Sequence, residues 1–206
     1  MKIKSLSLAA LASIAMAASS THAATVYSIA NSSFEAPDAL GTYLAGHPPG
    51  WTGSASYYDC GVGNAAYISM TGATGAQVGY ALNNTSIWTG TVTTLTLGET
   101  YTLTVDVASR SDFTSSGFQI GMFTTGGTPL AVSGFIDPVD DSAMHAYSVN
   151  YTHTSGSGPL YIMLSNASGS NQTSFDNVRL TSVPEPSAAL PLLGALGLLA
   201  LLRRRR

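Results

Sequence analysis

The residues of this 206-residue chain that could do chemistry are few and far apart in sequence. His47, His145 and His153 stand scattered, and none has a second ligand at metal-site spacing. Cys60 is the only cysteine, so no disulfide can form within the chain, and no neighbouring His or Asn marks it as an activated thiolate. It reads as a packed core cysteine. There is no G-x-S-x-G elbow, no H-E-x-x-H and no phosphate-cradling glycine loop. A glycosidase pair of carboxylates is defined by separation in the fold rather than by spacing, and nearly every acid here stands in a turn or cap context. No set of catalytic roles assembles, so the chain reads as non-catalytic, with a secreted glycoside hydrolase as the remote alternative.

Aromatic side chains offer a second chemistry, stacking on the apolar faces of sugars. Trp88 and Tyr58, set among polar neighbours, are the candidate carbohydrate contacts, whereas Trp51 after Pro48-Pro49-Gly50 reads as a packed plug. Asp137, Asp140 and Asp141 form an acidic loop that reads as solvated turn chemistry. Charge is uneven. Ten acids face only Arg110 and Arg179 between Thr25 and Ser182, a balance of −8, although the whole chain carries −3. That excludes nucleic acid as a partner, because neutralising phosphates takes clustered Lys and Arg.

The elements that must position these residues are strands. Tyr101, Leu103, Val105 and Val107 alternate with polar residues, as do Phe118, Ile120 and Met122, then Tyr147, Val149 and Tyr151. Leu160, Ile162 and Leu164 follow, then Val178 and Leu180. Period two with β-branched and aromatic residues is the pattern of half-buried antiparallel strands, and Gly, Asn, Ser and Pro clusters between them mark turns. Eight to ten short strands are expected, in an all-β antiparallel β-sandwich with no internal repeat.

Both ends read as addresses. Residues 1–24 carry Lys2 and Lys4, an apolar stretch from Leu6 to Ala18 and a small-residue exit at Ala23-Ala24, which is a signal peptide for the Sec translocon. Residues 25–182 form the exported domain, and 183–206 an anchor. There Pro184-Glu185-Pro186 precedes an apolar run from Ala188 to Leu202 and the basic cluster Arg203, Arg204, Arg205 and Arg206. Fifteen helical residues reach only about 22 Å against a hydrocarbon core of roughly 30 Å, a thin transmembrane helix. The basic cluster would stay cytoplasmic, leaving the domain outside.

This tail resembles the PEP-CTERM sorting signal. The resemblance implies a Gram-negative host and an exosortase that recognises Pro184, Glu185 and Pro186. It also implies passage through an inner-membrane intermediate to the cell surface or an exopolysaccharide-rich extracellular matrix, as in biofilm. A permanent membrane anchor is the alternative. The domain carries a second resemblance: Asn31-Ser32-Ser33-Phe34-Glu35 with Gly50-Trp51 at its start, and Phe175-Asp176-Asn177-Val178-Arg179-Leu180 at its end, are similar to the jelly roll of carbohydrate-binding modules and galactose-binding-like folds. That resemblance implies a structural calcium held by Glu35 and Asp176 with backbone carbonyls completing the shell. The alternative is that the two acids cap or bridge strand ends, with Arg179 as partner. The combined expectation is a non-catalytic surface or matrix protein, with a carbohydrate-binding module of defined glycan as the rival.

Overall fold

The computed structural model describes residues 23–53, 58–110, 117–167 and 172–185. The alternating segments become long strands and the glycine-rich punctuation becomes turns. In chain order the described strands are β1 (Thr25–Tyr27), β2 (Tyr43–Ala45), β3 (Trp51–Gly53), β4 (Cys60–Asn64), β5 (Gln77–Leu82), β6 (Ser86–Thr89) and β7 (Thr93–Thr94). There follow β8 (Glu99–Ser109), β9 (Phe118–Thr124), β10 (Thr128–Val132), β11 (His145–Thr152), β12 (Pro159–Asn166) and β13 (Gln172–Pro184). Seven make one sheet in the order β11-β8-β13-β5-β4-β2, with β1 laid along β13. Six make the second, β10-β9-β12-β6-β3, with β7 on β12. The strand pairings are antiparallel. The molecule is an all-β antiparallel sandwich.

Its core lies between the sheets. Tyr101, Leu103, Val105 and Val107 of β8 pack with Phe118, Ile120 and Met122 of β9 and Leu160, Ile162 and Leu164 of β12. Each of these is fully buried, and each such side chain contributes about 1.5–3 kcal/mol relative to leaving it exposed. Tyr147, Val149 and Tyr151 on the outermost strand of the first sheet are half-buried against the same core, as an edge position requires. Cys60 and Trp51 are buried here too, the latter 5.1 Å from Phe34 ring to ring. Gly79 makes room for Phe34: a Cβ there would stand 2.6 Å from its ring.

A second, smaller apolar cluster lies on the other face of the seven-stranded sheet. Val78 of β5 and Ala108 of β8, each alternating with a core residue, meet Ala65, Ile68 and Met70 from the segment between β4 and β5. That segment therefore lies over the sheet as a cover. Alternation along β13 changes phase at Asn177, whose φ of 47° puts an asparagine in the left-handed region. Phe175 and Val178, three residues apart, both enter the core. Asp176 is thereby turned to the covered outer face.

The strand number exceeds expectation because β1, β2, β3 and β7 are two or three residues long, too short to show a period. β4, Cys-Gly-Val-Gly-Asn, is hidden in the sequence by its glycines. The expected signal peptide lies almost wholly outside the described residues, and so does the expected transmembrane helix. Among the described residues no helix is long and apolar enough to cross a membrane. Pro184 is the last residue of β13, where a residue without an amide hydrogen ends a ladder at no cost.

Candidate functional site: the outer face of the seven-stranded sheet

Neighbouring strands bring polar and aromatic residues from distant parts of the chain onto this covered face. β8 contributes Asp106 and Ala108, with Arg110 just beyond its end; β13 contributes Gln172, Ser174 and Asp176. Tyr80 of β5 lies opposite Ser174 of β13 and Gly61 of β4. Gly63 of β4 lies opposite Val78 on one side and Tyr43 on the other. The result is an aromatic cluster on a glycine floor. Tyr43 meets Tyr67 at 5.5 Å and 90°, and Tyr80 at 5.5 Å and 85°, both edge-to-face as ring quadrupoles prefer. The Arg110 guanidinium sits 5.4 Å from the centre of the Tyr43 ring, donates to the Tyr43 hydroxyl, and donates to Gln172 Oε1 at 3.1 Å.

At the other end of the β13 stretch stands Asp176. It lies four residue steps from Gln172, about 13 Å at roughly 3.3 Å per residue, with Ser174 and its partner Tyr80 between. Its side chain is fully buried. Oδ2 accepts from the Thr74 amide at 2.5 Å and Oδ1 from the Asn177 amide at 2.6 Å. Burial pushes the carboxyl up to about 7. The two amide hydrogen bonds act against that shift, and the nearby charges of Asp106 and Glu35 add to it. Asp106 accepts from Asn177 Nδ2 at 2.8 Å and from Arg179 at 3.0 Å. The same sheet face thus carries a buried carboxyl of raised proton affinity and, on neighbouring strands, a tyrosine cluster.

Glu35 and Asp176, paired from sequence, are brought to one short turn. Glu35 Oε1 accepts the amides of Ala76 at 3.0 Å and Gln77 at 2.9 Å, while Asp176 takes that of Thr74. Gly75 between them has φ of +91°, and any Cβ there would strike the Glu35 carboxylate. Capping of backbone amides, the alternative reading, therefore describes what both acids do. Arg179 serves Asp106 instead of either of them. Two carboxylates gathered at one turn make chemical sense for calcium. Among the described residues, however, no group of three or more His, Cys, Asp or Glu could hold a metal. A cation here would need backbone oxygens for most of its shell.

Not all of the expected site residues lie on this face. Trp88 of β6 belongs to the other sheet and is half-buried, its ring 5.0 Å from that of Phe123. Tyr58, before β4, is exposed. Glu185 is exposed, and Pro186 and Arg203 to Arg206 lie outside the described residues. Asp141 accepts from the Ala143 amide at 2.9 Å and pairs with His145 at 2.8 Å, and these hold its carboxyl below the usual range, the amide first. Burial pushes the Cys60 thiol up to about 11, which leaves it unreactive. Tyr43, Tyr80, Arg110 and Asp106 were not legible as site residues, because nothing local joins them. Only the pairing of β2, β4, β5, β13 and β8 does.

The comparisons with known proteins identify the family and the fold. The family model described as HpiC1-like, HpiC1 cyclase, matches residues 25–181. No curated protein matches. Among solved structures, the Stig cyclase FisC from Fischerella sp. TAU, in complex with (3Z)-3-(1-methyl-2-pyrrolidinylidene)-3H-indole, is 24% identical with a TM-score of 0.66. It covers 79% of this chain and 100% of its own. A cyclase from Fischerella sp. TAU without a named ligand has a TM-score of 0.69 at 24% identity, covering 79% and 99%. A cyclase from the same organism in complex with 4-(1H-indol-3-yl)butan-2-one has a TM-score of 0.66 at 23% identity, covering 78% and 98%.

These findings correct the expectations drawn from short motifs. Neither a PEP-CTERM sorting protein nor a carbohydrate-binding module is what the domain matches, and the non-catalytic matrix role falls with them. The edge patches Asn31 to Glu35 and Phe175 to Leu180 mark the turn after the first strand and the last strand of a sandwich, which different functions share. The reading as non-enzyme is overturned by the same family match. Matched over residues 25–181, this chain belongs to the HpiC1-like cyclase family.

Proposed function

We propose that the protein is an acid-promoted cyclase acting on an indole-type aromatic molecule with an unsaturated side chain, and that Asp176 is its proton donor. The observation that carries this reading is the buried Asp176 carboxyl, raised to about 7, on the same sheet face as Tyr43 and Tyr80. The ring closure is an isomerisation. Asp176 gives its proton to one carbon of the π system, a carbon–carbon bond forms at the cation so produced, and a proton returns from the product to the carboxylate. Tyrosine faces stabilise that cation as the Tyr43 ring does the Arg110 guanidinium. The indole ligands of the two Fischerella cyclases support the substrate class. Jelly-roll connectivity is the scaffold we assign, supported by strands distant in sequence that lie side by side.

The test is conversion of an alkenyl indole by the purified domain. Asp176→Asn, which keeps shape and loses the proton, is expected to cut the rate by about 100-fold or more. An unchanged rate removes Asp176 from the mechanism.

Structural calcium is a second reading, favoured by the grip of Glu35 and Asp176 on the single turn Thr74 to Gln77. Calcium would balance the charge of the two carboxylates, with backbone carbonyls completing its oxygen shell. A melting temperature raised by calcium and lowered by chelator supports it, and indifference to both rejects it. Export through the Sec translocon rests on residues 1–24, and N-terminal sequencing of the secreted protein should begin after Ala23 or Ala24.

A further inference from the structure

Two glycines alternate on the outer face of β4, and the space above them differs. Gly61 faces backbone: a Cβ there would overlap the Leu44 carbonyl oxygen and stand 2.7 Å from the Tyr80 hydroxyl. Gly63 faces only side chains. Its Cβ would meet Tyr43 Cε1 at 3.0 Å and Cδ1 at 3.1 Å, then Ile68 Cδ1 at 3.8 Å. Gly63 lies within a regular strand and outside the left-handed region, so its backbone accepts any residue. Being glycine there serves one neighbour, the Tyr43 ring, which lies edge-on over it. That ring is the hub of the cluster, touching Tyr67, Tyr80 and Arg110.

We infer that Gly63 is a specificity-determining residue: by leaving the floor of the sheet bare under Tyr43, it sets the depth at which a planar guest ring can lie against the tyrosine cluster. The inference rests on the outer face of the sheet being the cyclase site. An added methyl lifts the Tyr43 ring off the floor by a few tenths of an ångström and takes that depth from the guest. A two-ring guest, covering more of the cluster, loses more than a one-ring guest. Because the obstructing atoms belong to a half-buried side chain, the fold accommodates the change, whereas Gly61→Ala presses on backbone and costs stability.

The experiment compares binding of 4-(1H-indol-3-yl)butan-2-one and 4-phenylbutan-2-one to the wild-type domain and to Gly63→Ala, by calorimetry. The expected result is about a tenfold loss for the indole ketone in Gly63→Ala, with a loss under about threefold for the phenyl ketone. Equal losses, or none, overturn the inference and leave the cyclase reading in place. Wild-type binding of neither ketone overturns both. The double variant Tyr43→Ala/Gly63→Ala is the companion measurement. Against Tyr43→Ala alone, the added methyl should change affinity for neither ketone, since the ring it displaces is gone. A further drop there shows Gly63 acting through something other than Tyr43 and overturns the inference.

Discussion

Asp176 is the residue on which chemistry and stability meet. Its carboxyl is held near 7 when folded, against about 3.9 in an unfolded chain. The folded protein therefore keeps this proton through a range in which the unfolded chain releases it. Stability from this group is complete below about 4 and declines as pH rises towards about 7. Asp176→Asn should flatten that decline, so that melting temperatures of wild type and variant diverge with pH, the variant gaining on the wild type from pH 4 to pH 7. Parallel curves would show an ordinary carboxylate. The acid itself was legible in sequence, in the Phe-Asp-Asn-Val patch, though its chemistry was not. Nothing near it in sequence reveals that the Thr74 amide, Asp106 and Glu35 converge on it.

At the scale of elements, period two located β8, β9, β11, β12 and most of β13 with their buried faces correct. It failed at β4, where glycines replace the apolar signal, and at Asn177, where one left-handed residue moves Asp176 to the outer face. Those two failures are both at the site. The glycines of β4 give the tyrosines their floor, and the phase change in β13 gives them their acid. Gly79 of β5 tests the core side of the same sheet. Gly79→Ala would press a methyl into the Phe34 ring, and its cost should be about 1–3 kcal/mol, read by urea denaturation. A neutral result would mean that Phe34 is free to move. On the outer face, Tyr67→Ala removes a ring that is 58% exposed, so it should weaken ketone binding while moving the melting temperature little.

For the whole molecule, composition and alternation were enough to reach an all-β sandwich, and the short terminal motifs were not enough to reach its activity. A sandwich is a scaffold that many functions share, and the activity we propose lies on one sheet's outer face beneath the segment from Ala65 to Ala76. The central claim is that this face carries a protonated carboxylic acid for cyclisation. The most direct measurement is the carbon-13 NMR titration of the aspartate carboxyls in the wild-type domain, with Asp176→Asn used to assign the signal. The account predicts a single carboxyl, absent from the variant, that titrates near 7 in calcium-free buffer. Titration of Asp176 in the ordinary aspartate range, near 4, would contradict it.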